Sequence, residues 1–487
     1  MSKKNIIIII LIISAVLVFF FTKRSFFSAE SRTYSIVLTK DGFSPKEISI
    51  RQGDSVVFSS NLGQPFWPAS DLHPTHGVYP EFDPRQPVDG ASSWSFTFNQ
   101  AGDWRFHDHL NSLFTGRIKV SGSSIVGKED CSSPGEKITC WQELLNKTLE
   151  KDGLPATFDL VADLYTKEPL FASECHSFVH EIGKFAYGKF KLNQDFELNS
   201  KTSYCGYGFY HGFMEILLYT TGDVQQAQDF CKYVGEKLAG DTTDGEGACY
   251  HGIGHGAVDG ADPSAWGDYQ KMLAPAFNMC LSVAGDDHSK YGKLYRCITG
   301  AYNSLEILSM SSRYKLFEMQ KDPFYICPFQ IDEYKEGCYT NMLPALLRFT
   351  KNDIQEAEKH VEAIPEQDSF SIRSAVSSSL FHEFIRLNLN AVDYNKITAI
   401  NICHSLKDPF RLACVEGLSG GHMKYGEPTK AHIKGLAFCS SAELLDDEKD
   451  ICYNYILARL RLWYSKEKSV EICQSAPVEF RKYCDKL

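Results

Sequence analysis

The chain has 487 residues and a formal net charge of −11, with the acidity spread diffusely and no basic stripe. That balance excludes a nucleic-acid-binding surface and fits an ordinary soluble ectodomain. At this length two or three domains are expected, and the cysteines divide them: all 16 lie between Cys131 and Cys484.

The run Ile6–Phe21 is apolar except for Ser14, with Lys3 and Lys4 before it and Lys23 and Arg24 after it. Sixteen residues at ~1.5 Å rise cover about 24 Å, which flanking residues extend toward a ~30 Å hydrocarbon core. Phe27-Ser28-Ala29 is a poor signal-peptidase site. Residues 1–24 are therefore expected to be a cytoplasmic stub and an uncleaved, single-pass transmembrane anchor. On this expectation the membrane is a partner and the bulk of the chain is extracytoplasmic.

Residues 34–121 read as a β domain. Tyr34 to Thr39, Ile48 to Ile50, Val56 to Phe58, Trp94 to Phe98, Trp104 to Phe106 and Ile118 to Val120 alternate with period two. Asp41-Gly42 and Gly53-Asp54 supply turns, and the spacing predicts an antiparallel sandwich. Gly42-Phe43-Ser44-Pro45, Gly53-Asp54, Gly102-x-Trp104-x-Phe106 and Gly116-x-Ile118-x-Val120 resemble the cupredoxins, the plastocyanin-like copper fold. The resemblance implies a β-sandwich with a metal site at one end. It does not imply blue copper. Where the family's pattern has Cys, His and Met ligands, this chain has Asp108, Asn111 and Phe114, and a blue site needs the thiolate. What replaces them is nitrogen-rich: His107, Asp108 and His109 on one loop, His73 and His76 on the loop that carries the family's first histidine ligand. Such a set suits copper, with zinc or iron as alternatives. If Trp104, Phe106 and Asp108 share the inward face, His107 and His109 point the other way unless the strand bulges.

Residues 122–135, with Gly122-Ser-Ser124 and Pro134-Gly135, form a linker. From 136 to 487 helical periodicity takes over, as in Phe158–Leu164, Ile354–Val361 and Tyr453–Leu462. The cysteines fall into pairs: Cys231/Cys249, Cys280/Cys297, Cys327/Cys338, Cys403/Cys414, Cys439/Cys452 and Cys473/Cys484. Cys131/Cys140 would clip the start, leaving Cys175 and Cys205 for each other. An even count at short recurring spacings indicates disulfides formed outside the cytosol. The phrase Cys205-Gly-Tyr-Gly208-Phe-Tyr-His211 recurs as Cys249-Tyr-His-Gly252-Ile-Gly-His255, Cys297-Ile-Thr-Gly300-Ala-Tyr-Asn303 and Cys414-Val-Glu-Gly417. Val376-Ser-Ser-Ser379-Leu-Phe-His382 keeps the spacing without cysteine. A near-constant period with helical content predicts an α-solenoid of disulfide-stapled helix pairs. The recurring glycine, costly inside a helix, predicts close helix–helix approach. The fold class expected is thus an anchor, an antiparallel cupredoxin-like sandwich and an all-α solenoid.

A second histidine set lies in the first repeats: His176, His180 and Glu181, then His211 and Glu215, then His251 and His255. The pairs 176/180, 211/215 and 251/255 are i,i+4 steps that put both side chains on one helix face. The set predicts either a metal site, with His211 and His255 closest, or polar packing copied by the repeat; Asn303 shows that a non-ligand is tolerated at that phase. Three functions follow. One is an extracytoplasmic copper protein using the β module; another is a metal-free solenoid scaffold for a protein partner; the third is a metalloenzyme with its site in the helical domain. His382-Glu383 and His422 stand alone in the sequence and read as surface or core residues. No Gly-x-Ser-x-Gly, P-loop, dinucleotide fingerprint or Cys-x-x-Cys-His is present.

Overall fold

The computed structural model describes residues 31–71, 79, 81–121, 131, 137–191, 197–239, 244–258, 263–310, 314–365, 370–389 and 394–484. The expected anchor (1–24), His73 and His76 lie outside them.

The β module is built from eight strands: β1 (Thr33–Thr39), β2 (Gly42–Ser44), β3 (Glu47–Arg51), β4 (Ser55–Ser60), β5 (Pro68–Ser70), β6 (Ser93–Thr97), β7 (Gly102–Asp108) and β8 (Asn111–Ser121). They make two four-stranded sheets, ordered β2-β1-β4-β6 and β3-β8-β7-β5. The core between them holds Ile36, Phe58, Phe82, Phe98, Trp104, Phe106 and Ile118, each at most 1% exposed. Asp54 pins the β3–β4 turn, its two carboxylate oxygens accepting from the backbone N–H of Arg32 and Arg51 at 2.8 Å each. Gly53, with φ +90°, makes the turn possible.

The expected fold class needs correction. Both sheets are mixed, because β1 pairs with β4 and β3 with β8 in parallel. The chain leaves the first sheet after β2, lays β3 in the second sheet and returns, so β1 and β4 run the same way. Period-two alternation reports which face a residue occupies and carries no information on strand direction. The transmembrane anchor is also not part of the fold described: among the described residues no helix is long and apolar enough to cross a membrane.

The helical body opens with α1 (Lys137–Lys167) and α2 (Pro169–Lys191). Helix pairs follow: α3 (Gly208–Thr221) with α4 (Val224–Leu238), α5 (Gly245–Val258) with α6 (Tyr269–Ala284), and α7 (Lys293–Ser309) with α8 (Phe317–Lys321). Next come α9 (Asp332–Asn341) with α10 (Leu343–Phe349) and α11 (Ile354–Glu362), then α12 (Phe370–Asn388) with α13 (Lys396–His404). The last are α14 (Phe410–Tyr425) with α15 (Ala431–Cys439), and α16 (Asp446–Leu457) with α17 (Lys466–Ser475). The first helix of each unit packs on the first helix of the next, in the order α2, α3, α5, α7, α9, α12, α14, α16.

The recurring glycines explain that row. A Cβ on Gly208 would lie 2.6 Å from the His176 carbonyl oxygen, on Gly252 2.6 Å from that of Tyr210, on Gly300 1.9 Å from that of His251 and on Gly417 2.1 Å from that of Ser378. Each repeat glycine lets its helix rest directly on the backbone of the helix before it. All eight disulfides join the expected cysteines, Cys175–Cys205, the pair left by elimination, among them, and no described cysteine is free.

The row does not run on as an open superhelix. Tyr165 of α1 donates to the Tyr425 carbonyl at 2.5 Å, Thr166 to Glu427 at 3.2 Å and Tyr207 to the Leu462 carbonyl at 2.9 Å. First and last units meet, and the repeat closes into a ring.

The β module sits against the start of this body. Arg117 of β8 bridges Asp103 of β7 and Glu143 of α1, the latter at 2.6 Å. Arg105 of β7 lies 5.0 Å over the Phe185 ring of α2.

Candidate functional site

In the β module, Trp104 and Phe106 face the core while Arg105, on the other side of the strand, lies over Phe185 of the helical body. A register shift between His107 and Asp108 then breaks the alternation, and Phe106, His107 and Asp108 are buried in succession. The bulge gives Asp108 a structural role, with its Oδ1 accepting from the Trp67 N–H at 2.6 Å and the Leu110 N–H at 3.3 Å. His109 rests on Trp67, ring centroids 4.5 Å apart, and 6.2 Å from the His107 ring. His107 Nδ1 meets Asp71 Oδ1 at 3.1 Å. Of the five ligands expected here, Asp108 accepts from backbone N–H groups and His107 contacts a carboxylate, while His73 and His76 lie outside the described residues.

The helical histidines come together. His211, on α3, is in ring contact with all four others: His176 at 5.1 Å, His180 at 6.4 Å, His251 at 4.9 Å and His255 at 5.1 Å between centroids. The closest pair is His211/His251, not the expected His211/His255. The i,i+4 steps on α2 and α5 present two rings each, and Gly208 and Gly252 bring those helices near enough for the rings to meet across α3.

Their hydrogen bonds fix the tautomers. His176 Nδ1 lies 2.9 Å from the Cys205 carbonyl oxygen, which can only accept, so that nitrogen carries the proton. Thr299 Oγ1 donates to the Arg296 carbonyl at 2.7 Å and therefore accepts from His251 Nδ1 at 3.0 Å. In both neutral rings Nε2 is left with the lone pair. Glu215 Oε1 accepts from His180 Nε2 at 3.0 Å and His255 Nδ1 at 2.9 Å. The second N of His180 (Nδ1), Nδ1 of His211 and Oε2 of Glu215 are buried without a hydrogen-bond partner.

Crowding by protein sets the protonation. Desolvation, reinforced by the neighbouring imidazoles, pulls His211 well below the usual histidine range. The same causes bring His251 down to about 3 and His176 to about 4, although the Cys205 carbonyl opposes the latter shift. Burial pushes the Glu215 carboxyl up, but His180 and His255 outweigh it and hold it well below the carboxylate range. Neutral imidazoles at His176, His211 and His251 are in the protonation state that metal ligation requires of histidine. As placed, no group of three or more His, Cys, Asp or Glu among the described residues is arranged to hold an ion.

Sequence reasoning missed several members of this region. Thr299 and Lys184 give no local signal. His382, read as isolated, occupies the histidine phase of the cysteine-less unit, and that phase was the available sign. It lies 5.8 Å from the Tyr455 ring, and its neighbour Glu383 accepts from Tyr425 at 2.6 Å and Arg386 at 2.5 Å. Glu181 pairs with Lys184 at 3.0 Å and does not join the histidines. His422 is buried, its Nδ1 donating to the Leu418 carbonyl at 2.7 Å.

No protein-family model matches the chain, and no curated protein matches it.

Proposed function

We propose that the chain is an extracytoplasmic metal-binding protein whose principal site is the imidazole cluster around His211. His176, His211, His251 and His255 are the ligands, for a zinc(II) or copper(II) ion. The observation that carries this is ring spacing. Two imidazoles on one tetrahedral ion, with metal–nitrogen bonds near 2.1 Å, hold their centroids about 5 Å apart, and His211 keeps 4.9–5.1 Å from His176, His251 and His255. Cys205, Thr299 and Glu215 take the place of outer-shell partners that orient ligand rings. Binding requires His176, His251 and His255 to turn toward a point shared with His211. The eight disulfides support an oxidising compartment. The β module is read as a cupredoxin-like fold without a blue-copper centre, supported by its quoted residues and by its two facing sheets.

The test is metal titration of the purified full chain, with metal content measured after gel filtration. One equivalent of zinc(II) or copper(II) is expected, lost in His211→Ala and weakened at least tenfold in His251→Ala. The His107→Ala/His109→Ala variant should retain it. Equal stoichiometry and affinity in wild type and His211→Ala would leave the cluster as polar packing and favour the scaffold reading.

A further inference from the structure

The sequence has no run of basic residues, but the repeat assembles one. Arg348, Arg386 and Lys424 recur at intervals of 38 residues. Each stands ten residues after the first position of its unit, which is Cys338, Val376 or Cys414, and so near the C-terminal end of α10, α12 or α14. Helix polarity by itself favours cations there. Yet the same phase holds Glu215, Asp259, Ile307 and Leu462 in other units, so neither packing nor capping demands three cations in succession. The register is kept in space. Gly417 of α14 rests on the Ser378 carbonyl of α12, Tyr425 donates to Glu383 at 2.6 Å, and Arg348 reaches back to Glu306 of α7. The cations form the outer layer: the side chains of Arg348 and Arg386 are 44% and 43% exposed, against 2% for Glu306 and 14% for Glu383. Glu306 takes one terminal nitrogen of Arg348, and Glu383 takes Nε of Arg386 at 2.5 Å. Those carboxylates fix both guanidinium planes, whose other N–H groups have no further carboxylate partner among the described residues. Lys424 is exposed, its ammonium 5.0 Å from the Tyr425 ring centroid and in no ion pair among the described residues.

We propose that Arg348, Arg386 and Lys424 form a docking row for an extended acidic peptide, one carboxylate to each cation. The inference is independent of the metal reading above. Neighbouring packed helices lie about 8–10 Å apart, so cations at one phase are spaced by about that distance. A polyproline-II chain rises ~3.1 Å per residue with three residues per turn, which sets side chains of one face about 9 Å apart. Same-face side chains of a β-strand repeat at about 6.6 Å and run out of step with the row. The two guanidinium forks suit bidentate carboxylates, and the ammonium adds a point charge. On a molecule of net charge −11 the row is a local reversal of sign. An acidic segment is repelled by the rest of the surface and steered to this place.

The experiment is fluorescence anisotropy of a labelled peptide of four Glu-Pro-Pro repeats on the full chain, with a chelator present so that metal plays no part. Binding is expected, weakening with added salt, and absent for Gln-Pro-Pro repeats. Lys424→Gln and Arg386→Gln should each weaken it about three- to tenfold. Lys271→Gln, which removes an exposed lysine of α6 paired with Asp268, should leave it unchanged. Lys424→Gln breaks no ion pair among the described residues, so its loss of affinity reads the row and not the fold; a melt identical to wild type confirms this. No binding of the Glu peptide, equal affinity for the Glu and Gln repeats, or wild-type affinity in either variant overturns the proposal. Inorganic tripolyphosphate is the competing arm. If it displaces the labelled peptide at lower concentration than the unlabelled peptide does, the row is a site for phosphate chains and the acidic-peptide assignment is overturned.

Discussion

Gly300→Ala tests the backbone-on-backbone packing of the ring most directly. The new Cβ would stand 1.9 Å from the His251 carbonyl oxygen, and it also meets the His251 carbonyl carbon and the His255 nitrogen at 2.9 Å. Ordinary contact begins at 3.4 Å, so about 1.5 Å is missing. None of these atoms belongs to a flexible side chain; α7 must move off α5. Overpacking of this kind costs about 1–3 kcal/mol and occasionally more, while replacing Gly by Ala inside a helix returns about 1 kcal/mol. With three backbone atoms in the way the cost should sit at the top of that range, giving a net loss of about 2 kcal/mol. For a body this large that is a fall in Tm of roughly 3 °C. The control is Gly188→Ala on α2, where a Cβ meets nothing within 4 Å, and the same propensity gain should raise Tm by about 1 °C. Melts followed by circular dichroism on the two variants should move in opposite directions. If Gly300→Ala melts at or above wild type, the inner helices are not held by glycine contacts and the packing inferred for the repeat is wrong.

Glu358 is 1% exposed; burial pushes its carboxyl from 4.5 up to about 8, against the help of a 2.6 Å hydrogen bond from Ser377. The native state keeps a proton that the unfolded chain releases, so stability should fall as pH rises from about 4.5 to about 8, by roughly 3 kcal/mol between pH 5 and 8. Glu358→Gln should flatten that slope in denaturant titrations; an unchanged slope rules the residue out as its source. Cys439→Ser/Cys452→Ser removes a cross-link closing 13 residues and should cost about 3 kcal/mol, seen as a lower denaturation midpoint; a loss under about 1 kcal/mol would mean that packing alone holds these helices.

Features with a local period were legible in the chain. Cysteine spacing identified the cross-links because each joins neighbouring elements. The glycine phase announced helix contact, and the i,i+4 histidines announced a shared face. Strand direction was not legible, since alternation is the same for parallel and antiparallel neighbours. Nor was the Asp108 role, because the bulge that turns it toward Trp67 depends on a partner loop 41 residues away. Closure of the ring rests on Tyr165 meeting a carbonyl 260 residues later.

The clasp of that ring has a mechanical consequence. Every disulfide spans 30 residues or fewer, so the covalent cross-links rivet adjacent units and none bridges the seam where the first unit meets the last. Among the described residues the hydroxyls of Tyr165, Thr166 and Tyr207 cross the seam, and no disulfide does. A fully oxidised molecule therefore behaves like a bracelet of stiff links with an unlocked buckle.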